Sequence, residues 1–139
     1  MASAGLLVNV SAAWQTKDMM LDWNEYLKEL KAATGELGRI SPEITRGYST
    51  LANAGAKTGK LDAKTRELIA LAVGVSLRCD GCITVHTSEA IKQGATKEEI
   101  VEALGVAISV NAGAALVYSD RVLDAYAAKT APPALEGAS

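Results

Sequence analysis

Both cysteines and the only histidine of this chain lie within eight positions, in Cys79-Asp80-Gly81-Cys82-Ile83-Thr84-Val85-His86. On a helix that turns about 100° per residue, Cys79, Cys82 and His86 fall within an arc of roughly 60°. Glu67 precedes Cys79 by twelve residues, close enough for a helical hairpin around Leu77-Arg78 to fold it back over the same face. Two thiols, an imidazole and a carboxylate are the parts of a redox site. A free cysteine, with a pKa near 8.5, is only slightly ionised at neutral pH, whereas attack on a peroxide or a disulfide needs the thiolate. Cys79 stands where a helix begins, and the unpaired amides there favour an anion. His86 follows Cys82 by four residues, a spacing at which side chains meet and a proton can pass. Glu67 is then placed to orient the imidazole or relay its proton. Arg78 either adds positive charge beside the thiols or caps the preceding helix. The residues alone leave open which sulfur is the nucleophile, since the helix start favours Cys79 and the imidazole favours Cys82.

Other uses of the same residues are a redox-sensing or binding module without turnover, and a metal site ligated by Cys79, Cys82, His86 and Glu67. Structural zinc prefers more thiolates, and there is no second C-x-x-C or histidine pair. A bridge closing so short a loop gains little as a structural staple.

The elements that must hold these groups read as helices throughout. A first helix is expected from about Thr16 to Ala33, with Met20, Trp23, Leu27 and Leu30 as its apolar stripe and Gly35 and Gly38 ending it. Ser41-Pro42-Glu43 has the N-cap, first-turn proline and early acid of a second helix, closed between Gly55 and Gly59. Asp62 caps a third, the Cys79 segment starts a fourth, and Gly94 ends that one in a left-handed conformation. Thr96-Lys97-Glu98-Glu99 is a capping box opening an apolar stretch from Ile100 to Tyr126, expected to kink or split near Asn111-Ala112-Gly113. Tyr118 is a candidate pocket residue; Trp14 and Trp23 read as packing. The expected organisation is an arm over 1–15, one helical domain of about six helices over 16–129, and a flexible tail over 130–139.

With 139 residues, abundant alanine and no phenylalanine, the composition suits closely packed helices better than a sheet. A net charge of −2 carries no basic stripe for nucleic acid or an anionic membrane. Leu104 to Val117 is too short an apolar run to span a bilayer. Without a secretory signal pattern, a cytoplasmic location is expected, where a C-x-x-C pair is catalytic or metal-binding rather than structural. The near-uniform apolarity of that run instead points to subunit association, the alternative being the central core helix of a monomeric bundle.

Glu67, the Cys79-x-x-Cys82 pair and His86, flanked by Glu67-Leu68-Ile69-Ala70-Leu71-Ala72-Val73 and by Glu89 to Ile100, resemble the AhpD-like alkylhydroperoxidases. That family is a branch of the carboxymuconolactone decarboxylase superfamily, and the likeness covers roughly Ser41 to Ala127. It implies an all-α helical bundle assembled into trimers or hexamers. It also implies a thiol peroxidase that reduces a small hydroperoxide through a dithiol/disulfide cycle. By this likeness Cys82 is the peroxidatic sulfur, Cys79 the resolving one, and Glu67 with His86 the proton relay. No bound cofactor is expected, because no dinucleotide fingerprint is present. Electrons would come from an external dithiol, a lipoyl group or a thioredoxin-like protein. The founding enzyme has a further histidine just before its second cysteine, and here Gly81 stands in that place. Lactone decarboxylation is not expected, since the acid–base residues of that branch find no match.

Overall fold

The structure is a computed structural model that describes residues 19–131. The arm expected over 1–15, Trp14, and the tail beyond residue 131 lie outside the described residues. The described chain is all-α: α1 (Trp23–Ile40), α2 (Pro42–Ala54), a short 3-10 turn (Gly55–Thr58), α3 (Ala63–Ser76), α4 (Asp80–Lys92) and α5 (Lys97–Thr130). Its contacts fall into two compact units, with described parts 19–59 and 60–131.

In the first unit α1 packs on α2. Asp22 caps α1, its carboxylate accepting the Glu25 amide at 3.0 Å. The expected span of 16–33 is therefore displaced, with residues 19–22 lying ahead of the helix and the helix running on through Gly35 and Gly38 to Ile40. Gly38 serves packing rather than termination: a Cβ there would lie 3.1 Å from Cγ2 of Thr45, so its absence lets α2 approach. Ser41 and Pro42 open α2 as expected, though the Ser41 side chain makes no cap bond. Gly59, at φ 65°, ends the unit in the left-handed region.

In the second unit α3 is the central element, with α4 and α5 each packed on it. The buried apolar side chains among the described residues are Leu71, Ala90 and Ala107, one from each of these helices. Small residues at the contacts let the backbones approach closely. Asp62 caps α3 by accepting the Thr65 amide at 2.7 Å. Gly94, at φ 79°, follows α4, and Thr96 with Glu99 forms the capping box of α5. Lys64 Nζ reaches Glu99 Oε1 at 2.6 Å and fixes the start of α5 to the start of α3. This contact raises the pKa of Lys64, and Lys64 together with the Thr96 amide holds Glu99 below its ordinary value.

The last helix is not split at Asn111-Ala112-Gly113 but continuous over 34 residues. Asn111 Nδ2 donates to Ala107 O and to Ser76 Oγ, both at 2.7 Å, and the Ser76 hydroxyl donates to Ala72 O at 2.8 Å. A side chain expected to interrupt the helix instead ties it to α3. By length and composition α5 would also be long and apolar enough to cross a bilayer.

Candidate functional site

The turn between α3 and α4 sets the position of both sulfurs. At the end of α3 the Arg78 amide donates to Val75 O and the Cys79 amide to Gly74 O, each at 3.0 Å. Arg78 takes φ 55°, the left-handed region that glycine more commonly fills, and its side chain is exposed. Cys79 is the N-cap of α4, and its Sγ accepts the Cys82 amide at 3.1 Å. The C-x-x-C spacing is thus also the spacing from an N-cap to the third helical residue, with sulfur in the part usually played by Ser or Asp.

Cys79 and Cys82 are joined as a disulfide, with Cα atoms 5.2 Å apart. Gly74 is buried directly beneath them. A Cβ on Gly74 would lie 2.9 Å from Cβ of Cys82, a distance real Cβ atoms do not tolerate. One glycine therefore registers both cysteines, through its carbonyl for Cys79 and its missing side chain for Cys82.

One turn along α4 from Cys82, His86 Nδ1 lies 2.8 Å from Glu67 Oε2 on α3. The two side chains are 30% and 24% exposed, so water reaches the pair without surrounding it. With Glu67 ionised, Nδ1 carries the proton and donates it to the carboxylate, which leaves Nε2 as the accepting nitrogen.

Cys82 and His86 form part of the wall of a cavity of about 400 Å³. The facing wall is α3, through Ile69, Ala70, Val73 and Gly74. Leu61 and Arg66 stand toward the start of α3, and Leu77 beyond its end.

The structure thus brings the four residues read from the sequence together as two joined pairs, Cys79–Cys82 and Glu67–His86. Cys82 and His86 share the cavity, whereas Cys79 and Glu67 are not among its lining residues. Among the described residues no three His, Cys, Asp or Glu side chains converge as a metal cage. Tyr118 does not line this cavity; it is exposed on α5, with the Arg121 guanidinium 4.7 Å above its ring. Sequence reading missed Gly74 and the apolar wall. The signal for the wall was present, since Arg66, Ile69, Ala70, Val73 and Leu77 recur at the three- and four-residue spacings of one helical face.

The sequence matches the profile of the carboxymuconolactone decarboxylase family over residues 42–125. An uncharacterized protein of Haemophilus influenzae is 49% identical over 113 residues, spanning 81% of this chain and 100% of its own length. A carboxymuconolactone decarboxylase family protein from Legionella pneumophila, solved in its apo form, superimposes with a TM-score of 0.62 at 38% identity, covering 75% of this chain and 93% of its own. A second solved structure, from Methanobacterium thermoautotrophicum, gives a TM-score of 0.59 at 30% identity, covering 64% of this chain and 97% of its own.

Proposed function

The chain belongs to the carboxymuconolactone decarboxylase family, and within it we propose that it is a thiol peroxidase of the alkylhydroperoxidase type. The observation that carries this reading is a disulfide-forming pair one helical turn from a carboxylate-supported imidazole, with Cys82 and His86 on one cavity wall.

In the reduced protein His86 takes the Cys82 proton, and the thiolate attacks the terminal oxygen of a hydroperoxide. The O–O bond breaks, the alkoxide leaves with the proton from His86 as an alcohol, and Cys82 becomes a sulfenic acid. The Cys79 thiol then attacks Cys82 Sγ; the hydroxyl leaves as water with the Cys79 proton, and the disulfide forms. An external dithiol, lipoyl or thioredoxin-like, returns two electrons and two protons by thiol–disulfide exchange and is itself oxidised to a disulfide. Exposure to the cavity supports Cys82 as the attacking sulfur, and its neighbour's place in the turn supports Cys79 as the resolving one.

The same reading takes the chain as a homo-oligomer. Leu116, Val117, Val122 and Leu123 are exposed along α5, which supplies a long apolar surface for a second copy. Asp120, Arg121 and Asp124 interleave with them, which suits a protein partner better than lipid.

The test is to mix reduced protein with cumene hydroperoxide and titrate free thiols, then to add dihydrolipoamide or reduced thioredoxin. The expected result is loss of both thiols of each chain without intermolecular bridges, followed by turnover with a dithiol. Thiols that survive a molar excess of hydroperoxide would overturn the reading.

A further inference from the structure

The cavity beside Cys82 is apolar along its length and charged at one end. Ile69, Val73 and Leu77 form the apolar wall, and Arg66 is the one fixed charge in the lining. Arg66 is half-buried, and its Nη1 donates to the Leu61 carbonyl, which holds the guanidinium at the end where α3 begins. Arg39 and Arg46 are each paired with a glutamate one turn back on their own helix. Arg66 has no such partner: among the described residues it makes no ion pair. Glu67, next to it in sequence, is held by His86, and Asp62, one turn back, accepts the Thr65 amide and acts on Arg66 only through space. Among the described residues, the positive charge at the end of this apolar cavity therefore has no carboxylate in direct contact with it.

The spacing is as informative as the charge. Arg66 and Gly74 are eight residues apart on α3, an axial distance of about 12 Å. Cys82 packs against Gly74, and His86, on the antiparallel α4, pairs with Glu67 next to Arg66. From the sulfur the cavity runs past the imidazole to the guanidinium, over about the length of a medium-chain alkyl group. A volume of about 400 Å³ lies within the range of small-molecule sites.

We propose that the ligand of this cavity is an amphiphilic anion, whose apolar chain lies along α3 and whose carboxylate meets Arg66. Taken with the thiol peroxidase reading, on which this part rests, the substrate is a hydroperoxide carrying a carboxylate at the end remote from the peroxide. A guanidinium meets a carboxylate through charge-assisted, often bidentate hydrogen bonds, whereas a neutral end group leaves it to water.

Two measurements test this, and the first does not depend on turnover. The oxidised protein is titrated calorimetrically with octanoate and with octanamide, which share a chain and differ in charge. Octanoate is expected to bind about tenfold more tightly at low salt, the effect of one charge-assisted contact at a half-exposed site. The difference should shrink with added salt, collapse in Arg66→Gln and persist in Arg66→Lys. Equal affinity for the two ligands, no binding of either, or a preference that survives Arg66→Gln would overturn the proposal. Should Arg66→Gln not fold, the ratio and its salt dependence in the unaltered protein decide the matter. In the second measurement, reduced protein is offered hydroperoxides differing only in a terminal carboxylate or its methyl ester; the carboxylate should lower KM rather than raise kcat. A preserved octanoate preference with no turnover of either hydroperoxide would overturn the peroxidase reading and leave the anion site standing.

Discussion

The α3–α4 hairpin and the distal half of α5 are built from similar residues, but the hairpin ties its helices together through specific contacts that the end of α5 lacks among the described residues. In the hairpin, Leu71 and Ala90 are buried, Gly74 gives up its side chain to seat Cys82, and Glu67 and His86 satisfy each other across the helices. Along α5 beyond Ala107, side chains as large as Leu116, Val122 and Tyr126 remain exposed. The hairpin holds its two pairs through contacts between α3 and α4, whereas the far half of α5 presents exposed apolar side chains. With α5 proposed as the surface for a second copy, substitutions in the two regions should produce different failures.

The sharpest break is expected in the hairpin. Cys82→Ser should abolish hydroperoxide consumption, measured by peroxide loss in the presence of a dithiol. His86→Ala should slow the same reaction by about 10², the contribution of a general base, and external imidazole should restore part of it. On α5 the consequence should be one of mass rather than chemistry. Leu116→Asp with Val117→Asp should lower the molar mass read by light scattering to that of a single chain; an unchanged mass would remove α5 from the interface.

Smaller effects probe how the hairpin is seated. Gly74→Ala should cost about 1–3 kcal/mol in denaturant unfolding, because the new methyl must displace Cys82 or the backbone beneath it. The weakest effect belongs to the Lys64–Glu99 contact. Asp62 and Glu99 have pKa values lowered by folding, so their contributions are complete above their ordinary values of 3.8 and 4.5. They are lost as pH falls from there through the depressed values. Lys64 is raised, and its contribution is lost only in alkali, above 10.5. Glu99→Gln should therefore lower the thermal midpoint slightly at pH 7 and remove part of the acid dependence below 4.5.

What could be read from sequence was the chemistry of short range. The caps at Asp62 and Thr96, the helix start at Cys79 and the left-handed Gly94 are decided by a few neighbouring atoms, and these were legible. Glu67 and His86 were legible as a pair because a tight hairpin fixes the register of two antiparallel helices. Gly38 and Asn111 were misread as breaks because each serves another helix, through a missing side chain against Thr45 and an amide on Ser76. Gly74 was passed over for the same reason: its importance lies in Cys82, which approaches it from across the hairpin. The cavity wall was hidden because Ile69 and Val73 look like any apolar stripe until the face they leave uncovered is known.

Cys79 also makes folding and oxidation two sides of one thermodynamic cycle. Its sulfur is half of the disulfide and, through the Cys82 amide, the cap that starts α4. Whichever redox form of Cys79 accepts that amide more strongly is the form the folded chain favours relative to the unfolded chain. By linkage, the difference in folding stability between the two redox forms must equal the shift in reduction potential between the folded and unfolded pair. A melting experiment on the two redox forms is therefore also a measurement of oxidising power.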